Sequence, residues 1–163
     1  MQNGAIVSFS GGQDSTTCLF WSLNNFDFVE TVGFNYGQKN AIELQCREKI
    51  LTNIRTSYPE LASRLGEDLL IDAQSFGKVS CSALTGSGEA IKADGSRGLP
   101  TSFVPARNLM FLTYAAARAY IREVHTIVTG VGQADFSGYP DCRRDTMDAL
   151  EKTLSLGMNW EVK

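Results

Sequence analysis

The 163-residue sequence contains one histidine, His125, and that scarcity removes a chemistry at the outset. A serine hydrolase needs an imidazole to take the hydroxyl proton. His125 stands between a helix-like segment and a strand-like one, where capping a helix exit is its expected task. Four cysteines (Cys18, Cys46, Cys81 and Cys142) are scattered without a C-x-x-C pair. Reduced thiols fit this pattern better than a disulfide framework or a zinc site. Positive charge is not in excess: 15 Lys and Arg stand against 18 Asp and Glu, a formal charge of −3. The electrostatic footprint of a direct nucleic-acid partner is therefore missing. No apolar run approaches the roughly 20 residues of a membrane span, and the start lacks a basic-then-apolar cleavable signal. The expectation is a cytoplasmic protein without a membrane partner. There is no internal repeat and no low-complexity tail. With 43% hydrophobic residues, the chain is expected to form a single domain over residues 1–163, with a core that needs no staples.

What is present alternates. AIVSF at 5–9 and FVETVGF at 28–34 predict short buried strands, and further strands are expected around 69–71 and 126–131. Helical segments are expected from Thr16 onward, at 41–54, at 108–123, and from an Asp145 cap to about Leu156 with Gly157 as the stop. Pro59 is expected to open a short helical turn. Residues 74–106, rich in glycine and serine, predict a long irregular excursion. Trp21 and Trp160 are expected in packing positions. Strand and helix in alternation specify an α/β fold: a Rossmann-like parallel sheet with helices on both faces. Ligands of such sheets gather at the carboxyl ends of the strands. That singles out three polar loops, at 10–15, 35–39 and 130–144.

The first loop, SFSGGQDSTT at 8–17, places two glycines between hydroxyls, with an acid following. A tight strand-to-helix turn accounts for the glycines by itself. Three details point further: a buried strand before the loop, Asp14 and Ser15 where a helix is capped, and a helix-compatible run after it. A turn of this kind aims backbone N–H groups at a ligand from the positive end of a helix dipole, which suits phosphate. No lysine follows Gly12, so this is not a Walker loop, and the glycine spacing is not the dinucleotide fingerprint. An anion would be held by main-chain donors, by Ser10 and Ser15, and by charge from elsewhere.

TSFVPARN at 101–108 ends the long excursion and opens a helix. It reads either as an apolar plug (Phe103 and Val104) with a solvated Arg107, or as an anion site in which Arg107 binds bidentately beside Asn108. GVGQADFSGYPDCRRD at 130–145 interleaves aromatics with acids. That mixture suits a flat heteroaromatic ligand, with rings to stack and carboxylates to accept from ring N–H groups.

Taken together, FSGGQDSTTCL, FNYGQK, TSFVPARN and TGVGQADFSGYPDCR resemble the 7-cyano-7-deazaguanine synthases of queuosine biosynthesis, the QueC family of the ATP-pyrophosphatase (PP-loop) superfamily. The first motif alone indicates only the superfamily; FVPARN and DFSGYPDCR are far more specific. The resemblance implies an ATP-dependent carbon–nitrogen ligase. It would activate 7-carboxy-7-deazaguanine as an acyl-adenylate, form the amide with ammonia, and dehydrate that amide to the nitrile with further ATP. It implies a pyrophosphate loop of Ser10, Gly11, Gly12, Gln13, Asp14 and Ser15, with Asp14 as magnesium ligand. It places Phe34, Asn35 and Tyr36 beside adenine, and Arg107 and Asn108 on phosphate or the substrate carboxylate. Asp135, Phe136, Ser137, Tyr139 and Asp141 would contact the deazaguanine; Asp14, Ser15, Arg107 and Asp135 are the expected catalytic set. A homodimer is expected.

Three departures accompany the resemblance. Gly132, Gln133 and Ala134 stand where the family has Cys-Glu-Thr, and Ala106 replaces a glycine, read here as a mild change. The sequence also stops before the family's cluster of four zinc-binding cysteines, so these 163 residues are expected to hold no zinc themselves, with α-helices carrying Cys18 and Cys46 flanking the sheet separately. Two other functions compete: a relative that stops at the amide or joins the deazapurine to another acceptor, and a non-catalytic nucleotide-binding module.

Overall fold

A computed structural model describes residues 3–38, 42–80, 99–132 and 139–163. Four strands form one parallel sheet in the order β3-β2-β1-β4: β1 (Gly4–Ser8), β2 (Phe28–Asn35), β3 (Leu65–Asp72) and β4 (Thr126–Thr129). Between them run α1 (Gln13–Asn25), α2 (Ile42–Ser57), the single turn α3 (Pro59–Ala62), α4 (Gln74–Val79) and α5 (Arg107–Ile121). A 3-10 turn (Pro140–Cys142) and α6 (Arg144–Met158) follow β4. The expected alternation and parallel sheet are present.

Strand alternation divides the core in two. Val7, Phe9 and Val29 face one side, where Leu19 and Leu23 of α1 and Leu51 and Ile54 of α2 cover them. Ile6, Val32 and Phe34 face the other side, against Ala115 and Ala119 of α5. So α1 and α2 share one face, which corrects the expectation that they flank the sheet separately. The physical reason is connectivity. β1, β2 and β3 step in one direction across the sheet, and crossovers of one hand then lie on one face. The chain reverses direction only to add β4 beside β1, and α5 makes that crossover on the opposite face. The adjacent ends of β1 and β4 thus form a topological switch point, where loops diverge and leave a crevice.

Several boundaries differ from expectation. Gly12 is the N-cap of α1, with Asp14 and Ser15 already inside the first turn, so neither acid nor hydroxyl is the cap. The first residues of the expected excursion are helical, as α4. Arg143, not Asp145, precedes α6; Asp145 lies in its first turn and accepts from Thr146 N at 2.9 Å. Gly157 does not stop α6, which ends at Asn159 in a left-handed conformation (φ 48°). Glycine's low helix propensity is a modest cost, and Asn159 tolerates the left-handed turn. Trp21 is 53% exposed, with its edge on Phe26, whereas Trp160 packs between Tyr120 and His125. The His125 ring stacks on Trp160 at 4.4 Å, and its Nδ1 lies 2.5 Å from Glu161 O, so the residue has a packing role. Among the described residues no helix is long and apolar enough to cross a membrane.

Two charged residues lie inside this sheet sandwich. Glu30, 1% exposed at the centre of β2, accepts from Arg118 Nε at 2.8 Å and from Arg122. Its bond to Glu30, and a further one to Glu67, keep the Arg118 guanidinium above its usual pKa. On the opposite face Arg47, also 1% exposed, is held by Asp68.

Candidate functional site

At the switch point a cavity of about 450 Å³ opens, within the range of small-ligand sites. Its floor is the loop from Ser8 to Ser15 and the end of β4 from Thr129 to Val131. Phe34, Tyr36 and Phe111 give it an aromatic wall, beside which lies Arg107; Asn108, Tyr139 and Cys142 complete the lining. α2 adds Glu43 and Leu44.

The loop after β1 is locked by its own hydroxyls. Ser15 Oγ donates to Gly12 O at 3.1 Å and accepts from Ser10 N at 3.2 Å. Having given its one hydrogen to Gly12, Ser15 Oγ receives the hydroxyl of Ser10 at 3.0 Å. Ser10 Oγ in turn accepts from Gly12 N at 3.1 Å. Gly11 turns the chain with φ +89°, and a Cβ there would stand 2.6 Å from Glu43 O, so only glycine fits. The first-turn N–H groups of α1 have no intrahelical acceptor. They point out of the helix N-terminus, with the positive end of its dipole behind them. The arrangement can hold an anion without a lysine.

The aromatic wall is ordered by stacking. Phe34 and Phe111 lie face to face, 4.1 Å between centroids and 6° from parallel, and Tyr36 tilts against Phe111 at 5.5 Å. The turn beyond β2 is tied by its own side chains: Gln38 accepts from Tyr36 N at 3.0 Å and donates to Phe34 O at 3.3 Å, and Asn35 Oδ1 accepts from Gly37 N at 3.3 Å. Asn35 therefore shapes the turn, while Phe34 and Tyr36 line the cavity.

Arg107 opens α5 beside this wall. Its guanidinium carbon sits 5.9 Å from the Tyr36 ring centroid, its Nη1 makes a long 3.5 Å contact to Tyr36 O–H, and its buried Nε has no hydrogen-bond partner among the described residues. The residue before it, Ala106, is the N-cap in a left-handed conformation, φ 62° and ψ 12°. The exchange of glycine for Ala106 is thus not mild: a Cβ in this region crowds the following carbonyl, at a cost of roughly 1–2 kcal/mol. Asp141, 5% exposed, accepts from Asn108 N at 3.1 Å, and Asn108 Nδ2 reaches Cys142 Sγ at 3.2 Å. Asp141 therefore satisfies the start of α5 from a distant loop. Tyr139 shares a 2.5 Å hydrogen bond with Ser102, and its ring lies 5.9 Å from Phe103.

Of the residues expected from sequence, Ser10, Gly12, Gln13, Asp14, Ser15, Phe34, Tyr36, Arg107, Asn108 and Tyr139 line one cavity. Gly11, Asn35 and Asp141 shape the segments that carry them. Asp135, Phe136 and Ser137 lie outside the described residues, as do Gln133, Ala134 and Cys81.

Sequence reasoning missed Phe111 and Arg47, and took Gly130 only as the start of the third loop. Phe111 was hidden within an apolar helix, where an aromatic is ordinary core. Gly130 admits α1: a Cβ on it would stand 3.1 Å from Ser15 N. Arg47 had a legible signal, since it falls on the i, i+4, i+7 stripe with Leu51 and Ile54 and is buried with them. Burial lowers its pKa and Asp68 opposes that shift. Among the described residues no group of three or more His, Cys, Asp or Glu side chains is placed to hold a metal.

Residues 4–163 match the sequence model of a family described as "Queuosine biosynthesis protein QueC". Among curated proteins, the 7-cyano-7-deazaguanine synthase of Caulobacter vibrioides (strain NA1000 / CB15N) is 54% identical over 158 residues, covering 97% of this chain and 64% of that protein. The synthase of Gluconobacter oxydans (strain 621H) is 54% identical over 157 residues, covering 96% and 64%. The chain therefore spans less than two thirds of the length of these relatives. Among solved structures, a 4-thiouridine synthetase–RNA complex with bound ATP superposes with a TM-score of 0.57 at 18% identity, over 92% of this chain and 34% of that one. At that identity the likeness is one of fold.

Proposed function

The chain belongs to the QueC family, and from that premise we propose that its cavity is the ATP-activation site of a 7-cyano-7-deazaguanine synthase. A carboxylate does not react with ammonia at neutral pH until one of its oxygens becomes part of a good leaving group. In this reading a carboxylate oxygen of 7-carboxy-7-deazaguanine attacks the α-phosphorus of ATP and pyrophosphate leaves. Ammonia then attacks the acyl carbon, AMP leaves, and an amide results. The amide oxygen then attacks the α-phosphorus of a second ATP, pyrophosphate leaves, and loss of AMP with both N–H protons yields the nitrile.

One observation carries the proposal: hydroxyl-locked loop, aromatic wall and Arg107 line a single cavity at the switch point. The α1 N-terminus and Ser10 to Ser15 would hold pyrophosphate, and Phe34, Tyr36 and Phe111 offer flat surfaces to adenine. The unpartnered Nε and planar fork of Arg107 suit an anion, whether phosphate or substrate carboxylate. Tyr139, with Asp135, Phe136 and Ser137, is assigned to the deazaguanine; Asp141 contributes by fixing Asn108. The catalytic work of Asp14, Ser15, Arg107 and Asp135 is then positioning and charge stabilisation at phosphorus and at the carboxylate. Asp14 is exposed at the cavity, so its carboxylate fits magnesium, which takes one or two carboxylates together with phosphate oxygens. Asp14 would hold the ion there, and the ion's chemistry would be to offset negative charge on pyrophosphate. Homodimeric assembly is part of the same proposal.

Mass spectrometry of the product from 7-carboxy-7-deazaguanine, ATP and ammonia tests it. The nitrile is expected; accumulation of the amide alone would favour a relative that stops one step earlier, as the altered Gly132-Gln133-Ala134 segment suggests.

A further inference from the structure

The hydroxyl lock of the 10–15 loop does not end within the loop. Ser10 N, which donates to Ser15 Oγ at 3.2 Å, belongs to the same peptide unit as the carbonyl of Phe9. That unit is planar and resists twisting. Fixing the Phe9 oxygen therefore fixes the direction of the Ser10 N–H. The group that fixes it is Arg47: its Nη1 donates to Phe9 O, while its Nη2 donates to Asp68 Oδ1 and, at 3.3 Å, to Leu69 O. Asp68 is oriented in turn by Thr31 Oγ1 at 2.6 Å.

Neighbouring groups crowd this guanidinium, although its Nε has no hydrogen-bond partner among the described residues. It crosses the sheet at Gly33, where any Cβ would collide with it, and its Cζ lies 5.1 Å from the Phe9 ring centroid. The backbone of α2 at Glu43 and Arg47 also abuts Gly11. A neutral amide bonded to a cation through its oxygen is polarised, and its N–H becomes a stronger donor.

We propose that Arg47 is a positioning residue for the nucleotide site, acting through the Phe9–Ser10 peptide to hold the 10–15 loop in the geometry that receives phosphates. Arg47 does not line the cavity itself. The inference rests on the proposed ATP site and adds a control element buried behind it.

Calorimetric titration of the chain with ATP and with adenosine, alongside amide hydrogen exchange, tests the proposal on Arg47→Met and Arg47→Lys. Folding is checked by circular dichroism. For Arg47→Met we expect ATP affinity to fall about tenfold, while adenosine, which lacks the phosphates, changes less than about threefold. Arg47→Lys keeps the charge without the fork and is expected to fall between Met and wild type. Exchange at the Ser10 amide is expected to quicken by about tenfold in Arg47→Met, with core amides such as Val29 unchanged. Equal losses for ATP and adenosine, or uniform quickening of exchange, would overturn the proposal and leave Arg47 a general stabiliser. If Arg47→Met does not fold, Asp68→Asn decides: a loss confined to ATP and to Ser10 protection supports the role, and no such selectivity overturns it. A wild-type chain that binds no ATP would count against the functional reading, and the exchange measurement would still decide the role of Arg47.

Discussion

Gly130 and Asp14 lie so close that a Cβ on Gly130 would stand 3.1 Å from Asp14 Cβ and 3.0 Å from its carbonyl carbon. The contact joins the end of β4 to the first turn of α1, the two elements that meet at the switch point. Gly130→Val should push that turn away from the cavity. Overpacking of this kind costs about 1–3 kcal/mol, read as a lower melting temperature. ATP affinity should fall by about tenfold, since the displaced N–H groups carry the anion. Unchanged affinity in titration would mean the first turn of α1 does not hold phosphate.

Arg107→Lys should lower kcat/KM for pyrophosphate release by about tenfold or more, despite the conserved charge. The guanidinium rests beside Tyr36, with a buried Nε that has no hydrogen-bond partner among the described residues, and an ammonium reproduces neither the stacking nor the fork. Full turnover with lysine would reduce Arg107 to a distant electrostatic contributor.

Ala106→Gly should raise stability. The left-handed φ of 62° costs alanine roughly 1–2 kcal/mol, and the greater freedom of glycine in the unfolded chain takes back about 0.4–1. A net gain of between about 0 and 1.6 kcal/mol is expected in denaturant unfolding. A loss would show that α5 begins in a different conformation in solution.

Asp14→Asn should have two separable effects. Pyrophosphate release should be lost, while stability falls by less than about 1 kcal/mol, the worth of an acid in a helix's first turn. The Cys18 thiol, one turn later on α1, should become more reactive. Burial first, and Asp14 second, raise its pKa. Removing the acid lowers that pKa, increases the thiolate at pH 8, and should speed alkylation by about two- to threefold. In the wild type the same raised pKa contributes stability below the unfolded thiol value of about 8.5, lost as pH rises through the folded value. An unchanged alkylation rate, followed by peptide mapping, would contradict the placement of Asp14 beside Cys18.

The parallel sheet was readable because β1 is a near-continuous apolar run and β2 carries Val29, Val32 and Phe34 around the polar pair Glu30 and Thr31. The 10–15 loop was readable because Gly11 and Gly12 separate such a strand from a helix. The ends of the helices were not. Gly12, Arg143 and Asn159 bound α1 and α6 in place of the expected Asp14, Asp145 and Gly157, since a cap depends on one backbone angle that several neighbouring polar residues satisfy equally well. Asp141 looked like a ligand contact because an acid amid aromatics suits ring N–H groups. Its bond to Asn108 N spans 33 residues, and no local pattern reveals that. Arg47 lay on an apolar stripe, but only Asp68 on β3, with the room that Gly33 leaves, shows why a buried cation is tolerated.

The account stands on the claim that a carboxylate is activated at the α-phosphorus of ATP, and oxygen-18 in that carboxylate tests it most directly. With 7-carboxy-7-deazaguanine labelled in both carboxylate oxygens, ATP and ammonia, both labels should leave the substrate, one in the phosphate of each of the two AMP formed per nitrile. Pyrophosphate should form in step with AMP, and its release should cease when 7-deazaguanine lacking the carboxylate is supplied. Label in inorganic phosphate with release of ADP, or pyrophosphate release indifferent to the carboxylate, would contradict the account.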